Sequence, residues 1–299
     1  MSTATDNNMT TCANCGRGEE STGDLKACTA CKVVKYCNRD CQIAHRPEHK
    51  KACKERAAKL RDEALFKDPP QNEDCPICFL RLPTLLSGWR HKTCCGKRIC
   101  SGCIHAVNII DDEEKCPFCR SPAPIEEEGM KQIQKRVETD DAEAMNGLGY
   151  LYWRGSNGLP QDFAKALELW HRAAELGHAG AYNNIGNCYW YGRGVGMDKK
   201  KGKHYCELGA IGGFVGARYL LSNIEKNAGN MDKALKHFMI AVGFGHDGSL
   251  KQMKQLFMKG HVTKDEYSKA LKSYQAYLGE IKSDQRDAAA AYDEGFKYY

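Results

Sequence analysis

Eight residues in the first fifth of this 299-residue chain have the side chains of metal ligands, and they come in four pairs: Cys12-x2-Cys15, Cys28-x2-Cys31, Cys37-x3-Cys41 and His49-x3-Cys53. Such spacings let one tight turn aim two side chains at a single ion. Zinc takes four sulfur or nitrogen donors in a tetrahedron, so a pair supplies half a site. Four pairs therefore specify two zinc ions, each joining two separated turns. A disulfide framework fits this stretch poorly, because x2 spacing suits a metal and a histidine cannot join a disulfide. A nucleophilic cysteine would need no array of paired neighbours.

A second cluster begins at Cys75-Pro-Ile-Cys78 and ends at Cys116-Pro-Phe-Cys119-Arg120, with Cys94, Cys95, Cys100 and Cys103 between them. Three pairs at x2 spacing, with the extra cysteines beside them, argue for two more zinc ions. Of the 17 cysteines only Cys188 and Cys206 fall after Cys119. Both lie in helical sequence and read as small buried apolar residues. The composition thus passes from metal-built to core-built along the chain.

The formal net charge is +6 with every thiol neutral. Zinc ligation deprotonates cysteine, and fifteen thiolates around four zinc ions would bring the total to about −1. Lys32, Lys35, Arg39, Lys50 and Lys51, among the first ligands, then read as compensation for thiolate charge. Overall basicity is therefore weak support for a nucleic-acid partner. The start, Met1 to Thr11, is polar and lacks the apolar core of a secretory signal. No run approaches the length needed to cross a bilayer. Together with metal-type cysteine use, this points to an intracellular protein, cytoplasmic or nuclear, with no membrane partner.

The elements that position these residues follow from periodicity. Gln42 to Lys67 reads as a helix, with a break at Pro47, and Pro69-Pro70 ends it. Its seven basic residues between Arg46 and Arg61, against Glu48 and Glu55, fit a solvated face better than a phosphate-binding one. After Pro122 and Pro124 comes an acidic patch, Glu126 to Glu128, and then helical sequence to the end.

That helical sequence repeats. Ala173-Ala174-Glu175-Leu176-Gly177-His178 recurs 36 residues on as Gly209-Ala210-Ile211-Gly212-Gly213, and Ala181 recurs at Ala217. Leu148-Gly149 recurs at Ile185-Gly186, and a third copy is visible at Ala241-Val242-Gly243-Phe244-Gly245. Each unit reads as two helices, the second beginning at an Asp162 or Asp198 N-cap. Small residues let the helices approach closely, while Leu167, Trp170 and the tyrosines Tyr150, Tyr152, Tyr189 and Tyr191 fill the gaps as core. Thr263-x2-Glu266 has capping-box form and starts a terminal helix past Tyr277. Asp287 to Tyr299 reads as a frayed end.

The first stretch closely resembles the MYND zinc finger, through the whole ligand series, Tyr36-Cys37, and Cys41-Gln42 leading to His49-Lys50-x2-Cys53. The resemblance implies interleaved ligation, with Cys12, Cys15, Cys37 and Cys41 on one zinc and Cys28, Cys31, His49 and Cys53 on the other. It also implies a shallow groove for short proline-containing peptides. Arg46 stands where many members carry an aromatic residue.

The second cluster resembles a RING finger from about Asp74 to Pro122. One departure is Lys97, which stands where a ligating histidine is usual and cannot itself ligate. The resemblance places Cys75, Cys78, Cys100 and Cys103 on one zinc. Cys95, Cys116 and Cys119 would form the other site, completed by Cys94 or by His91. If neither completes it, the chain holds three zinc ions rather than four. A RING finger implies binding of a ubiquitin-conjugating enzyme, which it orients without covalent chemistry. Ile77, Pro117 and Arg120 match the positions that make that contact. Each also has a plainer role open to it: mini-core, turn residue and exposed charge. The tryptophan frequent in the following helix is missing, and Val107, Ile109 and Ile110 occupy that region.

The helical part resembles Sel-one-like repeats, relatives of the tetratricopeptide family, from about Thr139 to His246. Solenoids of this kind offer a surface for a peptide or protein partner. The expected architecture is two small zinc-stabilised modules followed by an all-α helical-repeat solenoid. Its parts are a disordered N-terminus (1–11), a MYND-type finger (12–53), a helical linker (54–72) and a variant RING-type finger (73–124). An acidic linker (125–137), the repeats (138–262), and a capping helix with a tail (263–299) complete it. No catalytic triad, paired carboxylates or phosphate loop can be read. The expected function is a zinc-binding adaptor joining protein partners, the alternative a RING-type ubiquitin ligase whose outer modules recruit substrate. Nucleic acid is the least favoured partner.

Overall fold

Zinc-type turns give way to helices near residue 126 in the computed structural model, which describes residues 10–110 and 115–299. The stretch expected to be disordered lies, up to residue 9, outside the described residues. The chain divides into two units, Met1–Lys67 and Asp68–Tyr299.

In the first unit a short helix α1 (Glu19–Thr22) precedes two antiparallel strands, β1 (Lys26–Ala27) and β2 (Lys35–Tyr36), with Lys26 opposite Tyr36. The long helix α2 (Arg39–Leu65) follows, capped by the Asn38 side chain, which accepts from the Cys41 amide at 2.8 Å. The break expected at Pro47 does not occur, and α2 runs through it. His49 and Cys53, one turn apart on one face, both meet the cysteines of the second pair, which holds the helix in register beyond the proline. Leu25, Val34 and Tyr36 are the large side chains buried beside the cysteines. So small an apolar core cannot hold a fold alone.

The second unit opens with another metal-type module. A 3-10 turn (Leu86–Gly88) leads to strands β3 (Trp89–Lys92) and β4 (Lys97–Cys100), antiparallel with Trp89 opposite Cys100, and then helix α3 (Ser101–Ile110). Leu82, Ile99 and Ile104 form its core around Cys75, Cys100, Cys103 and Cys116. The stretch expected as an acidic linker is a helix, α4 (Glu126–Glu138), whose Met130, Ile133 and Val137 pack on the cluster holding Met145 and Trp170. Its apolar residues recur every three or four positions, so one face can be buried while the glutamates stay in water.

Six further helices of 13 residues follow in three pairs: α5 (Ala142–Arg154) with α6 (Phe163–Glu175), α7 (Ala179–Tyr191) with α8 (Lys199–Ile211), and α9 (Val215–Asn227) with α10 (Met231–Gly243). Helices α11 (Asp247–Met258), α12 (Lys264–Ile281) and α13 (Asp284–Tyr292) complete the stack. Asp162 and Asp198 cap α6 and α8 as expected, and Thr263 with Glu266 forms the capping box of α12. Among the caps not anticipated, two use histidine: the imidazole Nδ1 atoms of His178 and His246 accept from the amides of Ala181 and Ser249 at 3.0 and 2.9 Å. The repeated Leu-Gly and Ile-Gly steps mark close helix approach. A Cβ on Gly149 would lie 2.7 Å from Trp170 Nε1, and one on Gly186 would lie 2.5 Å from the Cys206 sulfur. Cys188 and Cys206 are buried, as expected. The tyrosines divide: Tyr152 and Tyr189 pack on the core, whereas Tyr150 and Tyr191 are half-exposed with arginines 154 and 193 over their rings.

The metal module and the stack pack together within this unit. Pro70 lies against Gly213, and the Arg81 guanidinium sits 5.2 Å over the Phe244 ring and pairs with Glu280 at 2.5 Å. The Thr84 amide donates to the Tyr277 hydroxyl at 2.7 Å. On the other side of the hairpin, Arg136 Nε donates to the Thr93 carbonyl at 2.8 Å. The chain end is not frayed: Tyr298 is buried with Tyr277 and Ile281 and donates to Asp287. Its place over Gly88 in the metal module removes it from water. Among the described residues no helix is long and apolar enough to cross a membrane.

Candidate metal centres

Local turns build the half-sites. Gly16, Lys32, Phe79 and Arg120 each follow the second cysteine of an x2 pair, each with φ between 56° and 72°. Each donates its amide to the carbonyl of the first cysteine of its pair, at 2.9 to 3.0 Å. One turn, made four times, thus points two sulfurs the same way.

Tertiary folding brings the half-sites together as four clusters: Cys12, Cys15, Cys37 and Cys41; Cys28, Cys31, His49 and Cys53; Cys75, Cys78, Cys100 and Cys103; and Cys94, Cys95, Cys116 and Cys119. Within each, the ligand atoms all lie within 4.8 Å of one another. Sulfur–sulfur distances within the clusters run from 3.4 Å for Cys94–Cys119 and 3.5 Å for Cys37–Cys41, through 3.7 Å for Cys15–Cys37, Cys28–Cys53 and Cys78–Cys100, to 3.9 Å for Cys95–Cys116. A tetrahedral zinc–thiolate site, with Zn–S near 2.3 Å, requires sulfurs about 3.8 Å apart. The donor sets fit zinc in both spacing and chemistry, and all the cysteines are free of disulfides.

The thiols within a cluster also oppose one another. Despite burial, backbone donors bring Cys12 and Cys28 down to about 6. The hydrogen bond that Cys37 donates to Cys41 leads in pushing Cys37 up to about 12, and burial followed by Cys28 pushes Cys53 up to about 11. In the third cluster hydrogen bonds shared with Cys100 and Cys103 lower Cys75 and bring Cys78 down to about 6, while Cys100 and Cys103 are raised. In the fourth the Ser121 hydroxyl brings Cys119 down to about 6, and burial raises Cys94. Thiols that push one another's pKa values apart crowd negative charge that a divalent cation would relieve.

The vicinal pair Cys94 and Cys95 completes the fourth cluster. Gly96, with φ of 68°, sends its amide to the Lys92 carbonyl at 2.7 Å, and the tight turn brings Cys94 to Cys119 at 3.4 Å and Cys95 to Cys116. His91 is not in the cluster: its Nε2 faces the Asp141 carboxylate at 3.4 Å, and burial pushes its pKa down. Lys97 lies outside as well, its ammonium 5.8 Å from the centre of the Phe118 ring. Of the three residues matched to partner contact, Ile77 packs on the module's core, Pro117 is buried, and Arg120 is exposed. Phe79 and Phe118, at 76% and 46% exposed, stand out as apolar side chains in water that the sequence reading did not select. Their position inside or just after an x2 pair, where a side chain must point away from the ion, was the available signal.

Residues 12–53, whose ligand atoms gather in the two interleaved clusters, match the model of the MYND finger. Residues 142–178 and 179–214 each match the Sel1 repeat. The chain carries a MYND finger and two Sel1 repeats. Both are protein-interaction modules, and the finger's ligands together with the other clusters make four candidate zinc sites. The rice "E3 ubiquitin-protein ligase GW2" is 36% identical over 67 residues, 21% of this chain and 15% of its own length. The Arabidopsis thaliana "ERAD-associated E3 ubiquitin-protein ligase component HRD3B" is 29% identical over 131 residues, 43% of this chain and 20% of its own length. The chain thus spans a fifth or less of these curated relatives. A Sel1 repeat protein from Oxalobacter formigenes superposes with a TM-score of 0.44 at 26% identity, over 57% of this chain and 66% of that one.

Proposed function

We propose that this chain is an intracellular adaptor that holds four zinc ions and joins protein partners through its MYND finger and its helical repeats. The observation that carries this reading is the surface of the finger. Leu25, Val34 and Tyr36 are spent on its small core, yet Val33 and Ile43 are 46% and 57% exposed. Apolar side chains kept in water on so small a module favour a peptide that would cover them. The repeats serve two purposes in this reading. Part of their surface holds residues 70–84 of the same chain, and the half-exposed Tyr150 and Tyr191 remain for a partner. Titrating the zinc-loaded chain into labelled proline-containing peptides, read by fluorescence anisotropy, tests the finger. Binding that Ile43→Glu abolishes supports the reading, and no binding across the peptide set removes it.

A second reading, ubiquitin ligase, is favoured by one observation: four cysteines come together in the fourth cluster without a histidine, which supports a complete site despite Lys97. Ile77, Pro117 and Arg120 would then contact a ubiquitin-conjugating enzyme. The names of the partial relatives lend support. The test is discharge of ubiquitin from a panel of charged conjugating enzymes by the full chain, with Ile77→Ala and Arg120→Ala beside it. Stimulation lost in both variants makes the chain a ligase, and no stimulation by wild type leaves it an adaptor.

A further inference from the structure

The third cluster, Cys75, Cys78, Cys100 and Cys103, lies deepest of the four, with three of its cysteines buried. Four thiolates around one zinc leave a charge of about −2, which is costly to bury unless a cation lies nearby. The cation comes from the far end of the chain. Arg286, on α13, is fully buried. Its Nη1 donates to the carbonyls of Ile281 at 2.7 Å and Arg81 at 2.9 Å, and its Nη2 donates to the Leu80 carbonyl at 3.3 Å. With the guanidinium held by these three carbonyls, its Nη2 lies 4.0 Å from the Cys78 sulfur. The next residue back, Gln285, brings its side-chain amide to 3.9 Å from the Cys103 sulfur, and with its oxygen and nitrogen exchanged it too would donate. The helices meet backbone to backbone there, since a Cβ on Gly102 would lie 2.8 Å from the Arg286 amide nitrogen.

We infer that Arg286 belongs to the third metal centre as the cation that offsets its thiolates, so that zinc retention at residues 75–103 depends on helix α13. A contact that served packing alone would need no guanidinium at full burial. The inference rests on reading these thiols as a zinc site. It makes the metal module and the last helix one unit: loosening α13 loosens the ion, and loss of the ion uncovers a buried arginine.

The test uses the full chain loaded with zinc, and release of each ion to a chromophoric chelator. Partners around a metal site typically change affinity by 10- to 100-fold when removed. Arg286→Gln is expected to release one zinc about 10- to 100-fold faster than wild type. Cys78→Ser identifies that ion by lacking it. Tyr292→Ala is the packing control: the Tyr292 ring lies tilted against that of His105, 4.8 Å between centroids, across the same helix pair. It is expected to release zinc at the wild-type rate. If Arg286→Gln reduces helix content by circular dichroism, Arg286→Lys decides, because it keeps the cation and is expected to hold zinc better than Arg286→Gln. Release from Arg286→Gln at the wild-type rate overturns the inference. So does equal acceleration in Tyr292→Ala, or in Arg286→Lys. Wild-type protein with no metal at this cluster would instead overturn the zinc reading beneath it.

Discussion

Phe79 and Arg120 hold the same backbone position in two different cysteine turns. Their φ angles are 56° and 64°, and each amide donates at 2.9 Å to the first cysteine of its pair, Cys75 or Cys116. Neither residue is glycine, so each bears the left-handed strain that Gly16 avoids at the equivalent place. For Arg120 the strained backbone also sets the direction of an exposed cation beside a metal centre.

This strain predicts opposite outcomes for two exchanges. The left-handed region costs a side-chain-bearing residue roughly 1 kcal/mol or more. Phe79 is largely exposed and gives up little packing, so Phe79→Gly should leave thermal stability unchanged or raise it. Gly16→Val should lower stability by about 1–2 kcal/mol and weaken zinc at the first centre. Calorimetry with metal analysis reads both, and a loss of stability in Phe79→Gly would count against the strain.

The membership of the fourth centre can be counted. Cys94→Ser and Cys95→Ser should each cost the chain one zinc, while His91→Ala should cost none, because His91 faces Asp141 rather than the sulfurs. Mass spectrometry under native conditions gives the number directly. A missing ion in His91→Ala would show that the imidazole is a ligand.

Gly245 has a φ of 82°, and a methyl group there would overlap the ring of Tyr277. Moving that ring would also break the bond from the Thr84 amide to its hydroxyl. Gly245→Ala should therefore destabilise the second unit by about 2–3 kcal/mol, from backbone strain and lost packing together. Urea denaturation measures it, and a change below about 0.5 kcal/mol, the range of an ordinary surface substitution, would rule out the tight contact.

Burial, followed by the nearby Arg218 charge, pushes the pKa of His237 from 6.5 to about 4. The native state therefore favours the neutral ring, whereas the unfolded chain takes up a proton as pH falls below 6.5. This contribution to stability is full above that pH and declines between 6.5 and 4, by about 2 kcal/mol at pH 5. His237→Asn removes the titration, so its urea midpoint should fall less than that of wild type between pH 7 and pH 5. The metal centres respond to acid equally in both proteins. Parallel falls would show that His237 does not drive the loss.

Much of this protein is legible from spacing because spacing is a property of single turns. An x2 cysteine pair closes within five residues, the Asp162, Asp198 and Thr263 caps act within three, and the repeated glycines mark where helices touch. The paired cysteines and the repeated helices from Asp141 to the capping helix at Thr263 were therefore open to reading, whereas the last ligand of the fourth cluster was left between Cys94 and His91. Resemblance to the MYND finger supplied the interleaving of its half-sites, which spacing could not. Tertiary structure alone decided the rest. It chose Cys94 over His91, because the turn at Gly96 aims one at Cys119 and leaves the other on Asp141. It folded Glu126 to Glu138 against Met145 and Trp170, giving a charged stretch an apolar seat. It also ordered the chain end, whose Arg286 and Tyr298 have no local pattern to announce them. Their partners, Cys78 and Gly88, lie some 200 residues away in sequence, and only closure of the whole second unit brings them together.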